Sequence, residues 1–365
     1  MNLAIDVRML GASGIGTYLR HVLPRLIRLR SGEKVYLLGK STELSRLPWR
    51  QHDKVSVVDC QSPIYSIREQ VQLPRLIPGD CGLFWSPHFN IPLLYRGTLL
   101  VTIHDVLHLA MPQYMEGIHK RLYARALFAA VRSKADAVIC NSRFTANELM
   151  RWVGMPASRI EVIHLGVDEE WFGVDRRARP HEKPYFVFVG NVKVHKNIAG
   201  LVNAFRRVAE KVPHDLIIVG KKEGFITGDR KVEGWATAPG GRVKFTGLVD
   251  DALLRRYVAC ADALVLPSFY EGFGLPPLEA MACGCPAIVS DRASLPEVCG
   301  DAALYCDPND VENIAARMLE VASNEALRAE LREKGMARAR QFTWDRCAHE
   351  TVALIEFVSN QRRGP

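Results

Sequence analysis

Two carboxylates flank a glycine-rich turn in the second half of the chain. Glu271 stands directly before Gly272, and Glu279 follows eight residues later, beyond Gly274. The apolar run at 263–267 predicts a buried strand before the turn. Two prolines after the turn suit the first turn of a helix, where a missing N–H costs little. A strand, a glycine turn and a helix N-terminus together form a site for an anion such as a phosphate.

The two carboxylates need their own explanation, because they would repel a phosphate. They fit better if they bind hydroxyl groups on either side of it, such as those of a ribose and a sugar. The alternative is an ordinary helix start whose glutamates serve only as capping groups. The setting E-G-F-G-L-P-P-L-E-A, directly after a strand, favours the first interpretation.

A second glycine-rich turn lies near the start of the chain. A short buried strand is predicted at 3–7, and the turn with Gly14 and Gly16 leads into a helix over 15–30. One such loop is a weak signal, because many α/β turns look like it. Two loops, one in each of two domains, can face each other across a cleft and bind one diphosphate. A dinucleotide fingerprint, G-x-G-x-x-G, fits less well, because the two residues after Gly16 are not followed by a glycine.

Polar residues follow two further predicted strands of the first half. The strand at 98–103 ends at His104 and Asp105, and the strand at 81–86 leads to His88. Ligands of open α/β sheets bind at the carboxyl ends of strands. These side chains are therefore candidates for a binding site, although a lone histidine is more often structural.

Several segments together resemble the family 4 (group 1) retaining glycosyltransferases. They are the E-x7-E segment described above, V-T-I-H-D at 101–105 and V-G-N-x-x-x-x-K-N at 189–197, and the likeness extends over essentially the whole chain. The resemblance implies the α/β GT-B fold, in which two doubly wound Rossmann-like domains face a deep cleft. The charge-rich linker at 173–183 then separates an N-terminal acceptor-binding domain from a C-terminal nucleotide-sugar-binding domain. The implied domain bounds are 1–173 with the C-terminal helix 345–365, and 174–344.

The resemblance also implies the roles of individual residues. Glu271 and His104 would be catalytic and contact the donor sugar. Lys196 would neutralise the diphosphate, although His195 stands before it where the family more often has arginine. Glu279 would bind the ribose. The donor-binding set is Gly14, Gly16, Lys196, Leu248, Val249, Gly272, Phe273, Gly274, Leu275 and Glu279. Weaker candidates on the acceptor side are His88, Asp105, Ser142 and Arg143, and Ser142 could equally serve only as a helix cap.

Length and charge set limits on the class of protein. A chain of 365 residues suggests two domains, and its apolar content of 48% is that of a globular protein. The net charge of +8 fits an anionic small-molecule site or an anionic membrane face, and is not the extreme expected of a nucleic-acid-binding protein. No apolar run reaches the roughly 20 residues of a membrane span, and the sequence opens directly with a strand. We therefore expect a cytoplasmic protein without a signal peptide.

The nine cysteines are odd in number and scattered, which favours free buried thiols. Cys283 and Cys285 have no partner pair at zinc spacing, so no metal site is expected there. Asp250 and Asp251 do not form a D-x-D motif, and the predicted reaction requires neither a metal nor another cofactor.

Two predicted helices, at 17–30 and 120–134, are basic and amphipathic and contain no carboxylate. Such helices are candidates for contact with an anionic membrane, or they are ordinary helices with a solvated basic face. The family resemblance favours peripheral contact at the inner face of the cell membrane, because many members modify lipid-linked sugars.

The predicted reaction is transfer of a hexose from a nucleoside diphosphate sugar to a hydroxyl of a lipid-linked or oligosaccharide acceptor, with retention. The opening A-I-D-V-R-M-L-G and the V-T-I-H-D and V-G-N segments look most like mannosyltransferases of bacterial polysaccharide synthesis, which makes GDP-mannose the first choice of donor. A UDP-sugar such as UDP-glucose is the alternative. A nucleotide-sugar epimerase or hydrolase, and a non-catalytic partner that binds a sugar nucleotide, remain as other classes.

Overall fold

The structure is a computed structural model that describes residues 1–30, 32–114, 117–220 and 241–361. The chain divides into two compact units. Unit 1 comprises Met1–Gly166 and Trp344–Pro365, and unit 2 comprises Val167–Thr343. Parts of the predicted domains, at 221–240 and 362–365, lie outside the described residues.

Unit 1 contains a parallel sheet with helices in its strand connections. Its strands are β1 (Asn2–Asp6), β2 (Val35–Gly39), β3 (Val55–Asp59), β4 (Cys81–Ser86), β5 (Leu99–Ile103), β6 (Ala137–Cys140) and β7 (Ile160–Val162). Its helices up to Gly166 are α1 (Gly14–Leu29), α2 (Ser41–Leu44), α3 (Ile67–Leu76), α4 (Leu107–Ala110), α5 (Ile118–Lys134) and α6 (Arg143–Val153). The strand order is β3-β2-β1-β4-β5-β6-β7.

Unit 2 repeats this architecture. Its strands are β8 (Tyr185–Val189), β9 (Asp215–Val219), β10 (Val243–Gly247), β11 (Ala263–Leu266), β12 (Ala287–Ser290) and β13 (Leu304–Cys306). Its described helices are α7 (Ile198–Val208), α8 (Asp251–Ala259), α9 (Leu275–Ala282), α10 (Leu295–Cys299), α11 (Val311–Ser323) and α12 (Glu325–Ala339). The strands are parallel and ordered β10-β9-β8-β11-β12-β13.

Each sheet has one point at which the strand order reverses. In unit 1 it lies between β1 and β4, and in unit 2 between β8 and β11. The loops that leave neighbouring strands there run to opposite sides of the sheet, which opens a crevice at the carboxyl edge. The central strands are buried on both faces, as parallel strands covered by helices must be. The two Rossmann-like domains expected from the sequence are therefore confirmed.

The last helix, α13 (Trp344–Gln361), belongs to unit 1 and packs along α1. The guanidinium of Arg25 donates to Asp345 at 2.6 Å, and the rings of His21 and Trp344 stack at a centroid distance of 4.8 Å. Arg30 is buried, and its guanidinium donates to the carbonyl oxygen of Met1. Arg25 and Arg30 thus bind groups of unit 1 itself. This weakens the prediction that the helix α1 binds a membrane.

The unit boundary falls at Gly166, earlier than the predicted linker at 173–183. The residues just after the boundary are held by unit 2. Val167 pairs with Thr343 in an isolated parallel bridge, Trp171 is buried, and Glu170 forms an ion pair with Arg255 at 2.7 Å. The predicted linker is largely exposed, and in this division it lies within unit 2.

The nine cysteines are free thiols, and all except the half-buried Cys81 are buried. None of the described helices is both long enough and apolar enough to cross a membrane.

Candidate functional site

Glu271 lies in the turn between β11 and α9, at the carboxyl edge of the unit 2 sheet beside the point of reversal. The ammonium nitrogen of Lys196 lies 2.6 Å from its Oε1. The hydroxyl of Ser268 donates to the same oxygen at 2.8 Å. Lys196 ends a short 3-10 helix that follows β8. The strands on either side of the reversal therefore bring together the lysine and the glutamate that the sequence analysis singled out.

Glu271 is held in its ionised form. Burial alone would raise the pKa of this carboxyl, but the charge and hydrogen bond of Lys196 outweigh it, with smaller contributions from His195 and Ser268. The net pKa is lowered from its ordinary value. Glu271 can therefore accept hydrogen bonds at neutral pH but is a poor proton donor.

The backbone of this turn is fixed by a buried serine. The hydroxyl of Ser294 lies 2.8 Å from the carbonyl oxygen of Glu271 and 2.9 Å from that of Phe273. The Phe273 side chain is buried against Phe342, so only its backbone can face a ligand. Gly274 has a φ of +97°, and a Cβ there would lie 2.6 Å from the Leu295 side chain. Glycine is thus required at 274 for both conformation and space.

The turn leads directly into the N-terminus of α9, whose N-cap is Gly274. Leu275 is the first helical residue, and Pro276 and Pro277 follow it within the first turn, as the sequence predicted. Because proline has no N–H, the donors at this end come from Gly274 and Leu275 rather than from the two prolines. These N–H groups and the helix dipole favour an anion.

Glu279 is the fifth residue of α9, at the start of its second turn. Its pKa is raised to about 7, mainly by burial, then by the carboxylates of Asp251 and Asp168. Arg255 opposes the rise. The protonation state of Glu279 therefore changes near neutral pH.

Leu248 and Val249 follow β10, at the edge of the same sheet. The Leu248 side chain is 69% exposed. Its apolar surface is open to a flat ligand such as a nucleobase.

His104 lies at the carboxyl end of β5 in unit 1, as predicted. Its Nε2–H donates to the carbonyl oxygen of Pro87 at 3.0 Å, so Nδ1 carries the lone pair of the neutral ring. Burial lowers its pKa, and Pro87 and Asp105 oppose that shift only in part. The ring packs edge-on against Tyr18 at 5.2 Å, and Asn141 donates to the His104 carbonyl oxygen at 2.9 Å. His104 is thus a fixed, neutral hydrogen-bond acceptor at pH 7.

His88 and Asp105 lie near His104. The backbone N–H of Asn90 donates to Nδ1 of His88 at 3.3 Å, so Nε2–H of the neutral ring faces the Tyr65 hydroxyl at 3.2 Å. The pKa of His88 is lowered to about 3, first by burial and then by the charges of neighbouring histidines and Arg8. Asp105 accepts the backbone N–H of Leu107 at 3.0 Å.

Ser142 is fully buried and caps α6, since its hydroxyl accepts the backbone N–H of Thr145 at 3.0 Å. The capping alternative left open by the sequence is therefore the one that the structure displays. Arg143 is exposed at the first helical position. The two residues thus differ in their access to a ligand.

The glycines of the first glycine-rich segment lie in α1 itself, where Gly14 is the first residue and Gly16 the third. Their surroundings differ. A Cβ at Gly16 would lie 2.4 Å from the carbonyl oxygen of Leu10, so packing within unit 1 already explains this glycine. Gly14 is exposed at the N-terminus of α1, with open space around its Cα. Of the two predicted donor contacts, Gly14 is the one with direct access to a ligand.

Sequence reasoning assigned no role to a buried ion triad at the end of β1. The guanidinium of Arg8 contacts both carboxylate oxygens of Asp6, at 2.9 and 2.6 Å, and donates to Glu69 at 2.9 Å. The side chains of the triad are between 1% and 9% exposed. The A-I-D-V-R segment was visible in the sequence, but nothing in it indicated that Glu69, 61 residues from Arg8, would complete the group.

Two family models match the chain almost end to end. Residues 12–171 match Glycosyltransferase Family 4, and residues 171–338 match Glycosyl transferases group 1. The chain belongs to the family 4, group 1 glycosyltransferases.

A curated relative agrees with this assignment, and two solved structures agree with the fold. The glycosyltransferase is 28% identical to O-antigen chain mannosyltransferase B of Escherichia coli, over 95% of this chain and 96% of that protein. Sucrose-phosphate synthase of Thermosynechococcus elongatus matches with a TM-score of 0.78 at 22% identity, over 98% of this chain and 99% of that one. HepE of Anabaena, solved with UDP and glucose, matches with a TM-score of 0.76 at 18% identity and the same coverage. The fold is GT-B.

Among the described residues of the glycosyltransferase, no group of three or more His, Cys, Asp or Glu side chains is placed to hold a metal ion. The candidate donor site in unit 2 is instead built from a lysine, backbone N–H groups and two glutamates with opposite pKa shifts.

Proposed function

We propose that the glycosyltransferase moves a mannosyl residue from GDP-mannose to a hydroxyl of a lipid-linked or oligosaccharide acceptor in bacterial polysaccharide synthesis, with retention. The choice of sugar is supported by the relative named as an O-antigen mannosyltransferase, which aligns along nearly the whole of both chains. The observation that carries the donor site is the 2.6 Å pair between Lys196 and Glu271 beside the N-terminus of α9.

Lys196 would stabilise the leaving group. When the bond between the sugar and the diphosphate breaks, negative charge builds up on the phosphate oxygens, and a fixed cation stabilises it in the transition state. The N–H groups of Gly274 and Leu275 and the dipole of α9 would act in the same direction. Because Lys196 already contacts Glu271, its ammonium is positioned before the donor arrives.

Glu271 would hold the donor sugar in unit 2, and His104 is proposed on its own as a sugar-binding group of unit 1. A carboxylate with a lowered pKa accepts hydrogen bonds from sugar hydroxyls, and it places negative charge near the positive charge that develops at the anomeric carbon. The Nδ1 lone pair of His104 offers a further acceptor. In both cases the side chain positions a group rather than transferring a proton.

The reaction needs no side chain to act as a base. The acceptor oxygen forms a bond to the anomeric carbon on the face from which the diphosphate departs, and the bond to the phosphate oxygen breaks. The acceptor proton passes to that phosphate oxygen. The chain contributes orientation and charge stabilisation. Orientation can lower the activation barrier by on the order of 7–11 kcal/mol, and charge stabilisation by several kcal/mol more.

The nucleoside would lie along unit 2, with the ribose hydroxyls on Glu279 and the base against Leu248 and Val249. Ionised Glu279 can accept hydrogen bonds from both ribose hydroxyls. Apolar exposure at Leu248 fits a base without selecting guanine over uracil. A UDP-sugar donor therefore stays as the alternative.

We propose that transfer needs no divalent ion. The side chain of Asp250 caps α8 by accepting the backbone N–H of Leu253 at 2.7 Å, and Asp251 lies in the first turn of that helix. Both carboxylates thus have roles at a helix N-terminus. The positive charge that a metal would bring to the diphosphate would come from Lys196.

We also propose that unit 1 contacts an anionic membrane at the inner face of the cell membrane. Its apolar–basic surface is defined by four exposed apolar residues and two exposed basic residues: Ile67, Leu94, Ile118, Leu122, Lys120 and Arg125. Ile67 is 88% and Ile118 73% exposed. Apolar side chains interspersed with cations suit a bilayer interface that contains anionic lipids.

Contacts within unit 1 bring these elements together. The backbone N–H of Leu93 donates to Gln70 on α3 at 2.9 Å, which ties the segment with Leu94 to that helix. The ring of Tyr65, just before α3, packs edge-on against Tyr123 of α5 at 6.1 Å. The apolar side chains thus belong to neighbouring elements rather than to scattered positions.

A thermal-shift and transfer experiment tests the proposal. GDP-mannose, UDP-glucose, UDP-N-acetylglucosamine and ADP-glucose are each added at rising concentration, and a ligand at about 100 times its Kd should stabilise the protein by roughly 2.7 kcal/mol. The proposal expects the largest shift with GDP-mannose, and an α-linked product by NMR. A larger shift with a UDP-sugar would select the alternative donor. An inverted product would contradict retention, and no shift with any nucleotide sugar would contradict the function.

A further inference from the structure

A small cavity in unit 1 lies beside the ion triad, at the carboxyl ends of β1 and β4. Asp6, Arg8, Met9, Ile64, Pro87, His88 and Asn90 line it. Its interior holds about one group of the size of a water molecule. The cavity adjoins the point where the strand order of unit 1 reverses, which is where a ligand of such a sheet is expected. His88, which lines the cavity, lies close enough to His104 for the charge of one to affect the other.

The charge on the cavity wall is compensated within unit 1. Arg8 is the cation among the lining residues, and it faces two carboxylates, those of Asp6 and Glu69. His88 is neutral at pH 7 because its pKa is lowered to about 3. The described groups at this wall therefore carry no net positive charge that could attract an anion.

The wall nevertheless offers hydrogen bonds. The bonds of Arg8 to Asp6, Glu69 and the Ser62 carbonyl oxygen use four of its five N–H donors within the described residues. Asn90 donates one amide N–H to Glu69 and accepts the Tyr123 hydroxyl, so it has a second amide N–H to give. A hydroxyl can accept from such donors and donate to a carboxylate, whereas a phosphate can only accept and also brings charge.

We propose that this cavity receives a hydroxyl group of an electrically neutral acceptor sugar, and that the Asp6–Arg8–Glu69 triad excludes acceptors with a phosphate or carboxylate at that position. The inference rests on the proposed function and adds the chemical class of the acceptor. Size and charge act together. The cavity has room for a hydroxyl, and the carboxylates of Asp6 and Glu69 repel an anion. Glu69 does not line the cavity and acts through Arg8, so it is a positioning residue.

The test uses acceptor pairs that differ only in charge. Octyl α-mannoside, octyl β-N-acetylglucosaminide and octyl β-galactoside are each compared with the corresponding 6-phosphate, with the donor selected above. We expect transfer to at least one neutral glycoside, and a kcat/KM at least about 100-fold lower for its phosphate. Equal or better use of a phosphorylated acceptor would overturn the inference, and so would transfer to none of the neutral glycosides by an enzyme that binds its donor. A protein that binds no nucleotide sugar would instead overturn the proposed function.

Glu69→Gln tests the role of the triad. The triad has one cation and two carboxylates, so removing Glu69 takes its net charge from −1 to zero. The repulsion of an anion then weakens, and discrimination against the phosphorylated acceptor should fall about tenfold. The change should appear in the KM of that acceptor rather than in kcat. Glu148→Gln, on α6 of the same unit, is the matched control and should leave unchanged the ratio of kcat/KM between the neutral and the phosphorylated acceptor. If this ratio is also unchanged in Glu69→Gln, or if kcat/KM falls equally for both acceptors, the proposed role of Glu69 is contradicted. If Glu69→Gln does not fold, Asp6→Asn removes the other carboxylate and carries the same prediction.

Discussion

The ammonium of Lys196 contacts the carboxylate of Glu271 at 2.6 Å, although the two residues are 75 positions apart in the sequence. Each follows one of the two central strands, β8 and β11, between which the strand order of unit 2 reverses. A bound diphosphate sugar would present phosphate oxygens to the cation and hydroxyl groups to the carboxylate. In the proposed donor complex, the cation and the carboxylate would thus face the two ends of the bond to be broken.

Replacing Glu271 by Gln should leave the turn in place and remove its charge. Ser268 can still donate to the amide oxygen, but the lost carboxylate no longer stabilises positive charge at the anomeric carbon. We expect kcat to fall by about 100-fold or more. Steady-state transfer kinetics measure this, with Glu210→Gln as an exposed control in the same unit. A kcat within about threefold of wild type would remove Glu271 from the catalytic group.

Donor affinity should depend on pH through Glu279. Its pKa is raised to about 7, and we expect only the ionised form to accept both ribose hydroxyls. The Kd for the nucleotide sugar should then fall about tenfold between pH 6 and pH 8. Titration calorimetry with the nucleotide sugar is preferable to the free diphosphate, whose own phosphate titrates in this range. Glu279→Gln should abolish the pH dependence, and an equal slope in both proteins would contradict the assignment.

The same carboxyl affects stability in the opposite direction. Its folded pKa of about 7 exceeds the ordinary value of 4.5, so the folded state binds the proton more tightly than the unfolded chain. The free energy of unfolding should therefore decrease as the pH rises from about 4.5 to 7. Unfolding by denaturant, measured at several pH values between about 4.5 and 7, should show a smaller decrease in the free energy of unfolding for Glu279→Gln than for wild type.

Ser294→Ala should loosen the turn at 271–274. The substitution leaves the carbonyl oxygens of Glu271 and Phe273 without their buried hydroxyl, and should reduce the free energy of unfolding by about 1–3 kcal/mol. It should also raise the KM for the donor. Ser359→Ala removes a buried hydroxyl on α13 and is the control for the substitution itself. Loss of stability with an unaltered donor KM would show that donor binding does not depend on the Ser294 hydrogen bonds.

The sequence allowed prediction of the parts of the site that depend on local chain geometry. The prolines and Gly274 specify the start of α9, and the apolar run before them specifies β11, so the position of Glu271 followed. His104 was similarly placed by the end of β5. Each of these inferences uses only residues within about ten positions, where periodicity and turn chemistry suffice.

Contacts between distant segments could not be predicted in the same way. The supporting bonds of Ser294, and the closing of the triad by Glu69, depend on how the helices are seated on the sheet. Gly16 looked like a ligand-binding glycine, but a close backbone approach to Leu10 also demands glycine. The basic residues of α1 were read as a free face, whereas α13, more than 300 residues later, supplies Asp345 as a partner.

The membrane proposal predicts co-sedimentation with vesicles that contain about 30% anionic lipid. Each exposed basic residue near the surface should contribute about 1 kcal/mol, so binding should weaken at high salt. The double variant Ile118→Ser, Leu122→Ser should bind at least about tenfold more weakly, because it loses its apolar anchor. Phe357→Ser, which removes a similarly exposed apolar side chain on α13, should bind as wild type. Equal binding by both variants would place the contact elsewhere.

The most direct test of the account is the affinity of Lys196→Met for the nucleotide sugar, measured by titration calorimetry on folded protein. A charge-assisted hydrogen bond to the diphosphate is worth about 1.5–3 kcal/mol, so the Kd should rise by about 10-fold to 100-fold. Lys211→Met, an exposed lysine of the same unit, should bind as wild type. A Lys196→Met variant that binds the donor as tightly as wild type would contradict the claim that this lysine holds the diphosphate.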